Sequence, residues 1–219
     1  RDPVKGEQRE TLTVLPPVSV RFDEVLNYFP SKKRKKIRVI ITGNRKKMKG
    51  VLKLDIPTSW RVTPNRIPFT LEKKSDKQII ELSVTPPVAA NSGRLKAILQ
   101  VDGKRYDRSH FSIKYDHIPK LDFFPLAETK LVRSDIRRTL KRIGYVNGSG
   151  DDIPKYLKQL GYRVDILDDQ SLSGADLGVF DTIIVGVRAY NTRDILKSTH
   201  KRLLNYVREG GRLLVQYNV

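Results

Sequence analysis

The hydrophobic period changes once along this chain, and that change limits the folds open to it. From about Thr11 to Tyr115 apolar and polar residues alternate with a period of two, as half-buried strands require. From Arg142 onward short apolar runs alternate with segments whose apolar residues return every three or four positions, so strand and helix follow one another. A chain of 219 residues is long enough to hold two such parts, each with its own core.

In the first part Ile37, Val39 and Ile41 share one face. Leu52, Leu54 and Ile56 alternate with Lys53 and Asp55, and Ile80, Leu82 and Val84 with Glu81, Ser83 and Thr85. Leu95, Ala97, Leu99 and Val101 repeat the pattern, and Phe111, Ile113 and Tyr115 close it. Turn residues separate the runs at Gly43-Asn44, Pro57-Thr58, Ser75-Asp76, Asn91-Ser92-Gly93 and Asp102-Gly103. Short strands with one polar face each predict two antiparallel sheets packed face to face over residues 1–120.

Residues 121–139 read as a connector with an extended stretch at Asp122–Leu126. Residues 140–219 then predict a truncated, flavodoxin-like α/β domain with a parallel sheet, expected to continue past Val219. Arg142–Val146 is its first strand, Asn147–Gly150 a turn, and Ile153, Tyr156, Leu157 and Leu160 one helical face. Asp151 or Asp152 can cap that helix, Pro154 suits its first turn and Gly161 ends it. Tyr162–Leu167, Thr182–Val187 and Arg212–Tyr217 supply the remaining strands, with Leu196, Leu203 and Val207 marking the last helix.

The formal charge of +19 points toward anionic partners. Ten Lys and Arg fall between Lys32 and Lys49 with no acidic residue, and Lys32, Lys33, Arg34, Lys35 and Lys36 form their densest run. No aromatic lies in that stretch for bases to stack on, so the run reads as a solvated loop entering a strand, with polyanion binding as the alternative and nucleic acid disfavoured. Cys is absent, which excludes disulfides, thiolate nucleophiles and thiolate metal sites. His110, His117 and His200 lack metal-ligand spacing, so the chain is expected to hold no metal and no cofactor. Arg1–Glu7 carries no apolar signal core, and no apolar run approaches the roughly 20 residues of a membrane span.

Open α/β sheets bind ligands at the carboxyl ends of their strands, which directs attention to three loops. The first, Asn147–Asp152, has glycines above a helix N-terminus, but lacks the third glycine of the dinucleotide fingerprint and places Asp151 and Asp152 where they would repel a phosphate. The second gathers Arg188, Tyr190, Asn191 and Arg193, groups suited to carboxylates or sugars. Its residues have another reading, in which Asn191 or Thr192 caps the next helix and Arg188 pairs with Asp151 or Asp152. The third is Gln216, Tyr217 and Asn218.

Three resemblances attach to these segments. Leu54-Asp-Ile-Pro-Thr-Ser-Trp-Arg-Val-Thr-Pro64, with Phe69-Thr-Leu71 and Ile80–Pro87, resembles the alpha-galactosidase-associated immunoglobulin-like domain, which implies that Trp60 plugs a sandwich core. The second half is similar to class I glutamine amidotransferase-like domains, where a strand after a Gly-Gly turn delivers a nucleophile on a sharp elbow. Gln216, Tyr217 and Asn218 occupy that place here, none is Cys or Ser, and no His follows, so the acyl-transfer triad is missing.

The wording Ile143–Pro154, Leu160-Gly-Tyr-Arg-Val164, Phe180–Arg193 and Tyr206–Asn218 resembles the region after the catalytic domain of large bacterial PIG-L (LmbE-like) N-acetylglucosaminyl deacetylases. That resemblance implies a sandwich followed by the α/β unit, both accessory to a zinc-dependent sugar deacetylase. The family's His-Pro-Asp-Asp zinc motif does not occur here, so zinc is expected only in the catalytic domain of the parent polypeptide, and catalytic residues in this chain are none. The implied role is docking of that domain or holding of a glycan, with export to the periplasm or cell surface. A polyanion-binding module and an amidotransferase-like hydrolase with catalytic residues outside this chain are the alternatives.

Overall fold

The computed structural model describes residues 12–115, 118–139 and 142–218; Arg1–Glu7, His117 and Val219 lie outside the described residues. The chain divides after Ser134 into two compact units.

The first unit is a β-sandwich, antiparallel except where Glu128–Arg133 pairs with Leu26–Phe29 in parallel. Its strands run β1 (Val18–Phe22), β2 (Leu26–Phe29), β3 (Lys35–Gly43), β4 (Met48–Asp55), β5 (Arg61–Thr63) and β6 (Arg66–Leu71). They continue through β7 (Lys77–Thr85), β8 (Asn91–Val101), β9 (Lys104–Tyr106), β10 (Phe111–Tyr115), β11 (Ile118–Phe123) and β12 (Glu128–Arg133). One sheet has the order β1-β3-β7-β5 and the other β2-β12-β8-β4-β6, with β9 beside β8. Their inner faces meet in one core, where the alternating sets Ile37/Val39/Ile41, Ile80/Leu82/Val84 and Leu95/Ala97/Leu99/Val101 are buried. Each Val, Leu or Ile among them contributes about 1.5–3 kcal/mol on leaving water. Trp60 is 5% exposed, lies edge-on to Phe29 at 5.1 Å, and donates its Nε1 hydrogen to Asn91 Oδ1 at 2.9 Å. A buried indole needs that acceptor.

Two expectations change here. Residues 121–139 do not form a connector throughout, because Glu128–Arg133 is strand β12, inserted between β2 and β8. Its buried face is Thr129, Leu131 and Arg133, so one apolar residue in three hides the alternation. Phe111, Ile113 and Tyr115 keep the strand period without joining the core. They pair only with β11, as Phe111 opposite Phe123 and Ile113 opposite Leu121, and these side chains are 40–48% exposed, with Tyr115 at 59%.

The second unit carries a parallel sheet. Its elements are β13 (Arg142–Val146), α1 (Ile153–Gln159), β14 (Arg163–Ile166), α2 (Asp169–Gly174), β15 (Thr182–Val185), α3 (Ala189–Thr192), α4 (Ile195–Arg208) and β16 (Arg212–Val215). The strand order is β14-β13-β15-β16, every pairing parallel. Leu196, Thr199, Leu203 and Tyr206 form the buried stripe of α4. Val207, expected on that stripe, is 41% exposed, and Tyr206 fills the place. The Tyr206 hydroxyl donates to Phe180 O at 3.0 Å, and a Cβ on Gly211 would come within 2.2 Å of the Tyr206 ring. That contact explains the Gly at the start of β16.

Candidate functional site

The carboxyl ends of β13, β15 and β16 bring the three expected loops together. The first two approach closely enough that a Cβ on Gly148 would lie 2.0 Å from Val187 O, and one on Gly186 2.8 Å from Val146 O. Ser149 N donates to Val187 O at 2.9 Å. These glycines therefore serve loop-to-loop packing, and the Ser149 N–H is not directed at a ligand.

Beneath the loops sits a polar junction. Tyr145, fully buried in β13, donates its hydroxyl to Asp151 Oδ1 at 2.6 Å and lies 3.2 Å from Gln216 Oε1. Burial first, and then the Asp151 carboxylate, pushes the phenol above its ordinary pKa, so it remains a donor. Asp151 Oδ1 also accepts from Ile153 N at 3.1 Å, while its Oδ2 is buried and accepts no hydrogen bond. Asp151 thus ties the helix start to the strand, and Asp152, which flanks the helix, makes no side-chain cap.

The β15 loop turns sharply at Arg188, whose backbone is left-handed with φ 56 and ψ 21. It is the sole non-glycine residue with positive φ among the described residues of this unit. Such a conformation stores on the order of 1 kcal/mol for a residue with a Cβ and is held only when its surroundings enforce it. Here Arg188 N donates to Tyr217 O at 2.7 Å, and Arg188 O accepts from Asn191 N and Thr192 N at 3.0 and 3.1 Å. Neither Asn191 nor Thr192 caps α4, whose N-cap is Asp194, and Arg188 makes no ion pair with Asp151 or Asp152.

The candidate residues consequently sort by what they touch. Asp151, Gln216 and Asn218 bind the loops to one another, Asn218 Oδ1 accepting from Tyr190 N at 3.0 Å. Arg193 points elsewhere, donating to Leu167 O at 3.2 Å and pairing with Asp169. Tyr190 places its hydroxyl 3.2 Å from His200 Nδ1, and burial raises its pKa. Arg188, Asn191 and Asp152 are exposed, as is Tyr217, at 69%. A strand, a left-handed residue and a helix follow one another at Val185, Arg188 and Ala189. No sequence signal marked this turn, since Arg188 is neither Gly nor Asn. The Tyr145 junction was more accessible to inference, because a tyrosine in the middle of a buried parallel strand must find a partner for its hydroxyl.

In the basic run, Lys36 pairs with Glu81 at 2.6 Å and holds that carboxyl below its ordinary pKa. Lys35 lies over the Phe29 ring at 5.9 Å. Lys32, Lys33 and Arg34 are exposed in the turn between β2 and β3. His110 Nε2 donates to Asp122 Oδ1 at 2.7 Å and stacks on Phe124, a pairing unforeseen in the sequence. Among the described residues no three His, Asp or Glu side chains are grouped to hold a metal ion. Among the same residues no helix is long and apolar enough to cross a membrane.

No family model and no curated protein matches the chain. Solved structures align to it only distantly. A family 123 glycoside hydrolase from Clostridium perfringens is 8% identical over 90% of this chain and 37% of its own, with a TM-score of 0.34. E. coli alpha-2-macroglobulin is 10% identical over 55% of this chain and 7% of its own, at 0.36. A Porphyromonas gingivalis protein of unknown function is 10% identical over 61% of each, at 0.33. The chain therefore spans less than two thirds of each of these proteins, and at such scores none bears on what it does.

Proposed function

We propose that this chain is a non-catalytic accessory region of a PIG-L (LmbE-like) sugar N-deacetylase, built from an immunoglobulin-like domain and a flavodoxin-like, amidotransferase-like domain, and that the second domain holds glycan. The observation that carries the glycan-holding role is the pairing of Arg188 and Tyr217. Arg188 N donates to Tyr217 O at 2.7 Å, which joins the two loops at the strand ends, where open α/β sheets take ligands, and both side chains are exposed. The strand order β14-β13-β15-β16 is compatible with a flavodoxin-like sheet. A turn of the form strand, left-handed residue, helix is the arrangement that acyl-transfer enzymes use to display a nucleophile. At this turn the displayed group is arginine, which favours binding over chemistry.

The guanidinium can donate to ring and acetamido oxygens, and the Tyr217 ring can lie against a sugar face. The test is titration of the full chain with N-acetylglucosamine tetramer by calorimetry. Saturable binding that Arg188→Ala and Tyr217→Ala each weaken about tenfold supports the reading. Absence of binding, or binding indifferent to both substitutions, contradicts it. The parentage has its own test in the gene, where an upstream His-Pro-Asp-Asp motif is expected.

A further inference from the structure

A second cleft, on the sandwich, belongs to none of the foregoing. It measures about 620 Å³, within the usual range for small-ligand sites of about 300–1,000 Å³. Pro16, Pro17, Tyr106 and Phe124 form apolar walls, and Arg45, Lys104 and Arg108 stand around them. The one acidic lining residue, Asp107, faces Arg105 at 3.8 Å. Arg45 and Lys104 are exposed and have no ion-pair partner among the described residues.

These cations are held by rigid backbone. Arg45 sits in the β3–β4 turn, which Asn44 pins to the wall by donating from its side chain to Pro16 O at 2.7 Å and from its backbone to Pro17 O at 2.8 Å. Lys104 follows Asp102 and Gly103, whose φ values of 48 and 72 suit the tight two-residue turn joining β8 to β9. Arg108 donates one hydrogen to Phe124 O at 2.8 Å, and among the described residues its other guanidinium donors have no partner. Its backbone is fixed on both sides, with Val20 N bonded to Arg108 O at 3.1 Å and Ser109 N to Pro125 O at 2.9 Å. The Phe124 ring stacks on His110 at 5.2 Å, and His110 is bound to Asp122, whose side chain is 3% exposed.

We propose that this cleft binds an aromatic organic anion, its charged group clamped by Arg45, Lys104 and Arg108 and its flat body laid between the prolines and the Tyr106 and Phe124 rings. The paired requirement follows from the lining: cations without walls would take any small anion, and walls without cations any apolar ring. The fixed backbone spares the site the cost of ordering its loops, while the Arg45 and Lys104 side chains must still be ordered on binding.

The test compares naphthalene-2-sulfonate, its neutral relative 2-naphthalenemethanol and inorganic sulfate on the full chain, followed by amide and aromatic NMR shifts. The sulfonate is expected to bind saturably, shifting Tyr106 and Phe124, with each of the other two at least about tenfold weaker. The double variant Arg45→Glu/Lys104→Glu should weaken the sulfonate about tenfold or more, while Lys32→Glu/Lys33→Glu, an equal charge change outside the cleft, should leave it unaltered. Equal binding of the neutral relative, equal loss in both double variants, or no saturation by about 1 mM would each overturn the proposal.

Discussion

The two units bury their strands by different means. In the sandwich, two sheets cover one another, so Leu82, Leu95, Leu99 and Leu131 reach zero exposure while the outer faces carry ion pairs such as Lys36 with Glu81. In the α/β unit, β13 and β15 are covered on both faces, yet edge strand β16 leaves Leu214 and Val215 54% and 46% exposed. A period-two pattern announces which face is buried. A continuous apolar run states that both faces should be, without identifying the cover.

The comparison sharpens most at matched leucines. Leu131→Ala is expected to destabilise the sandwich by about 2–5 kcal/mol, because it empties a fully packed site, whereas Leu214→Ala should change stability by no more than about 0.5 kcal/mol. Urea unfolding of both variants checks this, and equal losses would break the contrast. Gly148→Ala should cost more than about 2 kcal/mol in the α/β unit, since its Cβ would collide with the backbone at Val187 O. Retention of wild-type amide protection at Ser149 in that variant would show that the loops are not packed as described.

How much of this was legible depended on whether apolar residues alone encoded the element. The strands at Ile37–Ile41, Ile80–Val84 and Leu95–Val101 could be read directly, since their inner faces are wholly apolar. Strand β12 could not, because it buries Thr129 and Arg133 beside Leu131. The ribbon of Phe111 to Phe123 has the right period and the opposite burial, as pattern fixes the face of a strand but not its neighbour. At the strand ends the sequence gathered the right loops, since Asp151, Arg188 and Gln216 lie in segments that meet. It did not separate groups that hold the loops from groups that face solvent, a distinction set by hydrogen bonds such as Tyr145 to Asp151.

Smaller effects probe the strained turn and the base of the ribbon. Arg188→Gly should raise thermal stability slightly, by up to about 1 kcal/mol, through relief of the left-handed strain, while removing the guanidinium proposed to hold sugar. A clear loss of stability would mean that the side chain, and not the turn, is structural. Asp122 is held below its ordinary pKa chiefly by His110, with Thr13 adding a further hydrogen bond. Its depressed pKa means that this stabilisation is complete at neutral pH and fades as the pH falls below about 4 toward the folded-state value. Asp122→Asn should therefore flatten the acid limb of a stability–pH curve and leave its alkaline side unchanged in shape.

The most direct measurement is an amide-resolved NMR titration of the whole chain with N-acetylglucosamine tetramer. Saturable shifts centred on Arg188, Asn191 and Tyr217, with the sandwich strands unmoved, are the predicted result. Shifts confined to the sandwich, or no shifts at all, would contradict the assignment of glycan holding to the strand ends of the α/β unit.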